Sequence, residues 1–193
     1  IVGDYDIDGV CSTYILYKAF LRLGAPVDYD IPDRIRDGYG INESIIEKAA
    51  EQGIDTILTC DNGISAYSQI ELAKKKGMTV VITDHHEVPL EEGKEIIPPA
   101  DAVIDPKREE CSYPFPEICG AVVAWKLVQV LFAECGVPAK EWEELLEFAA
   151  IATVGDVMRL QDENRIIVKY GLSRMEHTSS IGLRKLAAKN NLD

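Results

Sequence analysis

Asp4, Asp6 and Asp8 alternate with Tyr5 and Ile7 in the opening run IVGDYDIDGVCST, and Asp61, the triplet Asp84-His85-His86 and Asp156 follow at long intervals. Read as extended backbone, a side-chain period of two throws the three opening carboxylates to one side at the end of a strand. Carboxylates held that closely repel and raise one another's pKa values unless a proton or a cation sits between them. A divalent metal resolves the repulsion; an acidic turn facing water would not need one. The return of acidic and histidine residues in matching strand-end contexts favours the metal.

Hard divalent cations prefer oxygen ligands, and imidazole shifts the balance toward manganese, iron, cobalt or zinc. Asp6, Asp8, Asp61, His85 and Asp156 are the candidate ligands of two such ions, with Asp61 as the bridge because its strand is expected to lie centrally. Two metals suit in-line phosphoryl transfer, so the expected reaction is phosphoester or phosphoanhydride hydrolysis. His86 is assigned to the scissile phosphate or leaving group and Asp84 to orienting a histidine. Asp156 interrupts the apolar run ATVGDVM, where an unpartnered carboxylate is expensive. Ser12, Arg34, Lys107, Arg108, Arg159 and Arg165 are candidate phosphate contacts, set against local capping for Ser12 and solvated surface charge for the cations. No P-loop or dinucleotide glycine fingerprint is present.

The elements that must position these residues alternate. Strands are expected near residues 1–3, 27–31, 54–60, 78–83 and 102–104, with helices at 9–23, 42–52 and 66–76 and a Pro- and Glu-rich loop at 87–100. Repeated crossovers of this kind predict an α/β fold with a parallel five-stranded sheet flanked by helices, ligands sitting beyond the carboxyl ends of the strands. From Gly120 onward the pattern is helical only, giving a helical C-terminal part: an amphipathic run at 121–135, a second from Pro138 to Val154, a third segment at 162–176 and a short one near 179–189. Residues 1–177 read as one catalytic domain, truncated at its N-terminus because it opens almost inside a strand. Residues 178–193 read as a terminal helix or the start of a linker to a further domain.

The chain has 193 residues, 47% of them hydrophobic, which fits a folded domain with a sizeable core. Five cysteines, at 11, 60, 111, 119 and 135, form no CxxC pair and read as reduced thiols in a cytoplasmic protein. No apolar run has the length of a membrane span. A net charge of -13 argues against a generally basic nucleic-acid surface, an objection that two bound cations and basic surface on another domain would relieve.

VGDYDIDGVCST, CDNGIS, ITDHH and IATVGDVMRLQDENR, in that order, resemble the four motifs of the DHH phosphoesterase superfamily, and the connecting segments IPDRIRDGYGIN and DPKREECSYPFPEICGAVVAWKL are similar to those of its single-stranded-DNA exonuclease branch. The resemblance implies that Asp6 and Asp8 are the paired aspartates of the first motif, Asp61 the metal-bridging aspartate, His85 a ligand, His86 a phosphate-side residue and Asp156 the ligand of the fourth motif. Asp4 fills an acidic position of the exonuclease branch, so Asp4, Asp84 and His86 are its catalytic candidates. It further implies two divalent cations, Mn2+ or Mg2+, and removal of nucleotides from the 5′ end of single-stranded DNA in recombination and repair, with C-terminal substrate-binding domains that this sequence lacks and no membrane partner. The alternative within the superfamily is a phosphodiesterase acting on short oligonucleotides, phosphoadenosine phosphate or cyclic dinucleotides, whose small ligand would suit the acidic charge.

Overall fold

The computed structural model describes residues 1–190. Three parallel strands, β1 (Thr56–Cys60), β2 (Thr79–Thr83) and β5 (Ala102–Ile104), form a sheet in the order β1-β2-β5, with Cys60 level with Thr83 and Thr83 level with Ile104. Asp61, Asp84 and Asp105 therefore follow the ends of three adjacent strands. The register alone brings them side by side.

The expected single five-stranded parallel sheet is not what forms. The two N-terminal segments add only isolated parallel bridges, Val2 to Thr59 and Val2 to Asp30. The chain cannot extend that ladder, because Asp6 turns it into a helix four residues later. The other two strands, β3 (Leu90–Glu91) and β4 (Lys94–Glu95), pair antiparallel as a separate hairpin inside the expected loop. Its two turn residues, Glu92 and Gly93, both have positive φ, 50° and 80°, the backbone that suits a tight two-residue hairpin.

Helices cover both faces of the main sheet. Alternation along β1 and β2 sends Ile57, Val80 and Ile82 toward α2 (Glu43–Glu51) and α3 (Tyr67–Lys75), where Ile45, Ile46, Ile70 and Ala73 meet them. Leu58 and Cys60 face the other way, into a larger core built by α1 (Ile7–Arg22), α4 (Gly120–Glu134) and α6 (Leu146–Gly155), with Ile15, Leu16, Val128 and Phe132 at its centre. Each such apolar side chain contributes about 1.5–3 kcal/mol through removal from water. The helix expected to run from Pro138 to Val154 is two: α5 (Ala139–Glu143) ends before Leu145 and α6 starts after it. Two further helices, α7 (Asp162–Met175) and α8 (Ile181–Lys189), follow; the last residues of the expected terminal segment, 191–193, lie outside the described residues. Among the described residues, no helix is long and apolar enough to cross a membrane.

Candidate metal centre

The opening carboxylates are not aligned by a strand. Asp6 is the N-cap of α1, its Oδ1 accepting hydrogen bonds from the amides of Asp8 and Gly9 at 2.9 Å each. Asp8 lies in the first turn, where its Oδ2 and Oδ1 accept from the amides of Gly120 (2.6 Å) and Ala121 (2.7 Å) at the start of α4. That helix has no side-chain cap of its own, so Asp8 supplies one from α1. Asp4 is buried in the connecting turn, with the Gly40 amide donating to its Oδ1 at 3.3 Å.

These groups meet the strand-end residues in one cleft. The ligand-capable atoms of Asp4, Asp6 and Asp61 lie within 4.8 Å of one another, as do those of Asp8, His85 and Asp156, and those of Asp61, His85 and His86. His85 Nε2 is 3.1 Å from Asp61 Oδ1, 3.4 Å from Asp8 Oδ2 and 3.8 Å from Asp156 Oδ2. Asp61 belongs to two of the three groups, and neither of its buried oxygens has a hydrogen-bond partner. His85 Nδ1 is likewise buried and unpartnered. Burial first, then the charges of Asp8 and Asp6, drives the Asp61 carboxyl far above the usual carboxylate range. Burial and Asp8 push Asp156 upward as well. Orphaned buried oxygens among oxygen and imidazole donors fit divalent cations.

Asp84 is different, because every part of its carboxylate is used. Oδ2 accepts from the Ile64 amide at 2.9 Å; Oδ1 accepts from the His85 amide at 2.8 Å and from His86 Nδ1 at 2.7 Å. Burial alone would raise its pKa, but the hydrogen bond and charge of His86 outweigh it and the carboxyl is lowered. His86 is raised in turn, mainly by its bond to Asp84. Asp84 thus holds the Nδ1 proton of His86 and fixes the ring. Burial also raises Asp105, at the end of the third strand, to about 6.

The sequence profile of the DHH family, N-terminal domain, matches residues 1–153. The chain belongs to the DHH family. Relatives within the DHH family include the single-stranded-DNA-specific exonuclease RecJ of Bacillus subtilis, 44% identical over 186 residues that cover 96% of this chain and 22% of the relative. RecJ of Thermus thermophilus is 36% identical over 187 residues, 96% of this chain and 26% of that one. The crystal structure of an exonuclease RecJ bound to manganese superposes with a TM-score of 0.84 at 34% identity, covering 97% of this chain and 46% of that chain. RecJ from Thermus thermophilus in complex with Mn2+ gives 0.78 at 32% identity, covering 97% of this chain and 26% of that one. The chain spans between 22% and 34% of the length of the RecJ relatives it matches.

The cations named from sequence scatter. Arg34 stacks over the Tyr5 ring, 5.4 Å from its centroid, beside the opening carboxylates. Lys107 pairs with Glu87 at 2.9 Å. Arg108 donates to the Val103 carbonyl at 2.8 Å and pairs with Glu110, which caps the open edge of β5. Arg159 and Arg165 are exposed and make no ion pair among the described residues. Ser12 is fully buried within α1, its hydroxyl unpartnered, so the fold does not bring it to an open surface.

Three residues that shape the cleft escaped the sequence reading. Tyr39 donates its hydroxyl to the Asp61 carbonyl at 2.8 Å and stands edge-on to the His86 ring, with 5.7 Å between centroids. Asn62, buried, accepts from the Ile41 amide and donates to the Val2 and Cys60 carbonyls, tying that loop to β1. Gly120 is the third: a Cβ there would stand 2.8 Å from both Cβ and Oδ1 of Asp61. Only a glycine lets the start of α4 come so near. The one signal for it was its position at the head of a long apolar run.

Proposed function

We propose that the chain is the catalytic part of a metal-dependent single-stranded-DNA exonuclease that removes nucleotides in the 5′ to 3′ direction. The observation that carries this reading is the buried carboxylate of Asp61, which has no hydrogen-bond partner and lies within reach of ligand-capable atoms of Asp4, Asp6 and His85. Asp6, Asp8, Asp61, His85 and Asp156 are the residues to hold two divalent cations, Mn2+ or Mg2+, with Asp61 shared. Relatives named as single-stranded-DNA-specific exonucleases, and a manganese-bound exonuclease among similar structures, support the choice of metal and substrate. Bound divalent ions supply an activated water and charge neutralisation for an in-line phosphoryl transfer.

The chain's own residues do the rest. Asp84 keeps the Nδ1 proton on His86 and so directs the other ring nitrogen to the scissile phosphate or leaving group. Asp4 orders the loop that carries Tyr39 through the Gly40 amide. Arg34, Arg159 and Arg165 are the cations open to phosphate, with Lys107 available if it leaves Glu87. Residues 1–177 make the catalytic domain and the following segment leads to substrate-binding domains elsewhere in the protein. Cytoplasmic action belongs to the same proposal, supported by five unpaired cysteines.

A net charge of -13 favours a second reading, hydrolysis of short oligonucleotides or nucleotide phosphates, since a small ligand needs no extended basic groove. Manganese-dependent release from 5′-labelled single-stranded DNA, run beside a dinucleotide and an Asp61→Ala control, separates the two. Mononucleotide release from DNA supports the exonuclease. Dinucleotide cleavage with intact DNA supports the second reading, and full activity of the Asp61 variant rejects both.

A further inference from the structure

Asn164 lies in the first turn of α7 and is fully buried. Its side-chain amide donates both protons to backbone, to the Glu117 carbonyl at 2.6 Å and the Arg159 carbonyl at 3.0 Å. The two carbonyls belong to separate segments that close the cleft. Glu117 precedes by three residues the Gly120 amide that, with Ala121, holds Asp8. Arg159 follows Asp156 by three residues.

The stretch from Asp156 to Arg159 closes α6: the amides of Val157 and Met158 donate to the Val154 and Thr153 carbonyls at 3.2 and 3.1 Å, and the Gln161 amide donates to the Arg159 carbonyl at 2.9 Å. Val157, the residue after the C-cap Asp156, has φ of 57°, the left-handed backbone of a helix C-terminal turn and an uncommon one for a β-branched residue, and its side chain is exposed. Asp162, at the far end of the same loop, also has positive φ, 40°. Asn164 sits just behind that loop. Its neighbour Glu163 anchors the same turn to α4, accepting from Lys126 at 2.5 Å and from the Tyr113 hydroxyl. The start of α7 is thereby fixed against α4 while Asn164 reaches out to both segments. An amide is suited to this task, since a carboxylate offers no donor and a hydroxyl only one.

We propose that Asn164 is a positioning residue for the metal centre: its amide fixes the loop that presents Asp156 and, through Glu117, the α4 amides that orient Asp8. This rests on the reading of Asp8 and Asp156 as cation-holding residues. The test is Mn2+ titration of the protein, with free Mn2+ followed by electron paramagnetic resonance, for the wild type, Asn164→Ala, Asp156→Ala and the double variant. Asn164→Ala is expected to weaken binding by about tenfold, as loss of a partner that orients a ligand does. The double variant is expected to bind no more than about threefold more weakly than Asp156→Ala alone. A lower melting temperature of the metal-free Asn164 variant with Mn2+ affinity unchanged would mean a purely structural role and overturn the proposal, as would full additivity in the double variant. Wild-type affinity in Asp156→Ala overturns the cation reading, and the proposal with it. Should Asn164→Ala fail to fold, Asn164→Ser carries the test, because its hydroxyl has one proton to donate where the amide gives two: weakened Mn2+ binding by the folded variant supports the proposal, and unchanged affinity overturns it.

Discussion

Asp8 and Gly120, 112 residues apart in sequence, are joined by a 2.6 Å hydrogen bond between the carboxylate of one helix and the first amide of another. The contact leaves no room on the Asp61 side. Gly120→Ala would drive a methyl group against Asp61, with 2.8 Å to its Cβ, and either carboxylate would have to shift. We expect a loss of about 1–3 kcal/mol in stability, measured by urea unfolding. Displacement of a ligand by a fraction of an ångström should lower metal-dependent turnover on the order of 100-fold.

Asp61→Asn tests the centre without straining the backbone. Asp61 has φ of 60°, which asparagine adopts more readily than alanine, for which it costs about 1–2 kcal/mol. The metal-free variant should melt at or above the wild-type temperature, because burial already disfavours the charged carboxylate. Mn2+ at about 100 times its dissociation constant should stabilise the wild type by about 2.7 kcal/mol and the variant hardly at all. Equal Mn2+ shifts in the two proteins would remove Asp61 from the metal centre.

His86→Gln and Tyr39→Phe should separate chemistry from metal binding. Loss of the imidazole is expected to lower kcat by about 100- to 10,000-fold while Mn2+ affinity stays near the wild-type value. Removing the Tyr39 hydroxyl deletes its bond to the Asp61 carbonyl and should cost about 0.5–1.5 kcal/mol of stability, with a smaller effect on kcat. Binding isotherms and single-turnover kinetics on the same preparations decide it.

Glu147, buried on α6, offers a pH signature remote from the cleft. Burial raises its carboxyl pKa, and the Thr178 hydroxyl donating to Oε1 at 2.7 Å opposes that only in part. A carboxyl raised in the fold is a burden once ionised: the unfolded chain gives up its proton at lower pH, so the penalty is complete above the folded pKa and fades as pH falls toward the ordinary value. Glu147→Gln should therefore stabilise the protein near neutral pH, with the gain vanishing at about pH 4. Urea unfolding at both pH values checks it; a gain independent of pH would mean that the ionised carboxylate is not the cause.

What could be read from the sequence was which residues gather, more than how they are held. Acidic and histidine residues after apolar strands are legible because parallel register brings strand ends together, as Asp61 and Asp84 show. The alternation of Asp4, Asp6 and Asp8 was misleading: aspartate suits a helix N-cap as well as a strand end, and local spacing does not distinguish them. The five-stranded sheet failed for a related reason. A strand is made by its partners, and the N-terminal apolar residues find partners for only single bridges. Arg108, a candidate phosphate contact by its type and place, donates to the Val103 carbonyl at a sheet edge, a partner that a side chain's identity does not reveal. Asn62 and Asn164 went unread because a buried amide leaves no periodicity; its meaning lies in carbonyls that are far apart in the chain.

The span between Asp8 and Gly120 also bears on how the protein comes into being. Synthesis delivers Asp6 and Asp8 first and Asp61 and His85 later, but the amides that hold Asp8 are made only with the head of α4, and Asp156 follows after that. A nascent chain interrupted before that point carries most of the acidic residues without the frame that orients them. Assembly of the cleft thus depends on contacts of high sequence separation, which carry the largest loop-closure cost in folding.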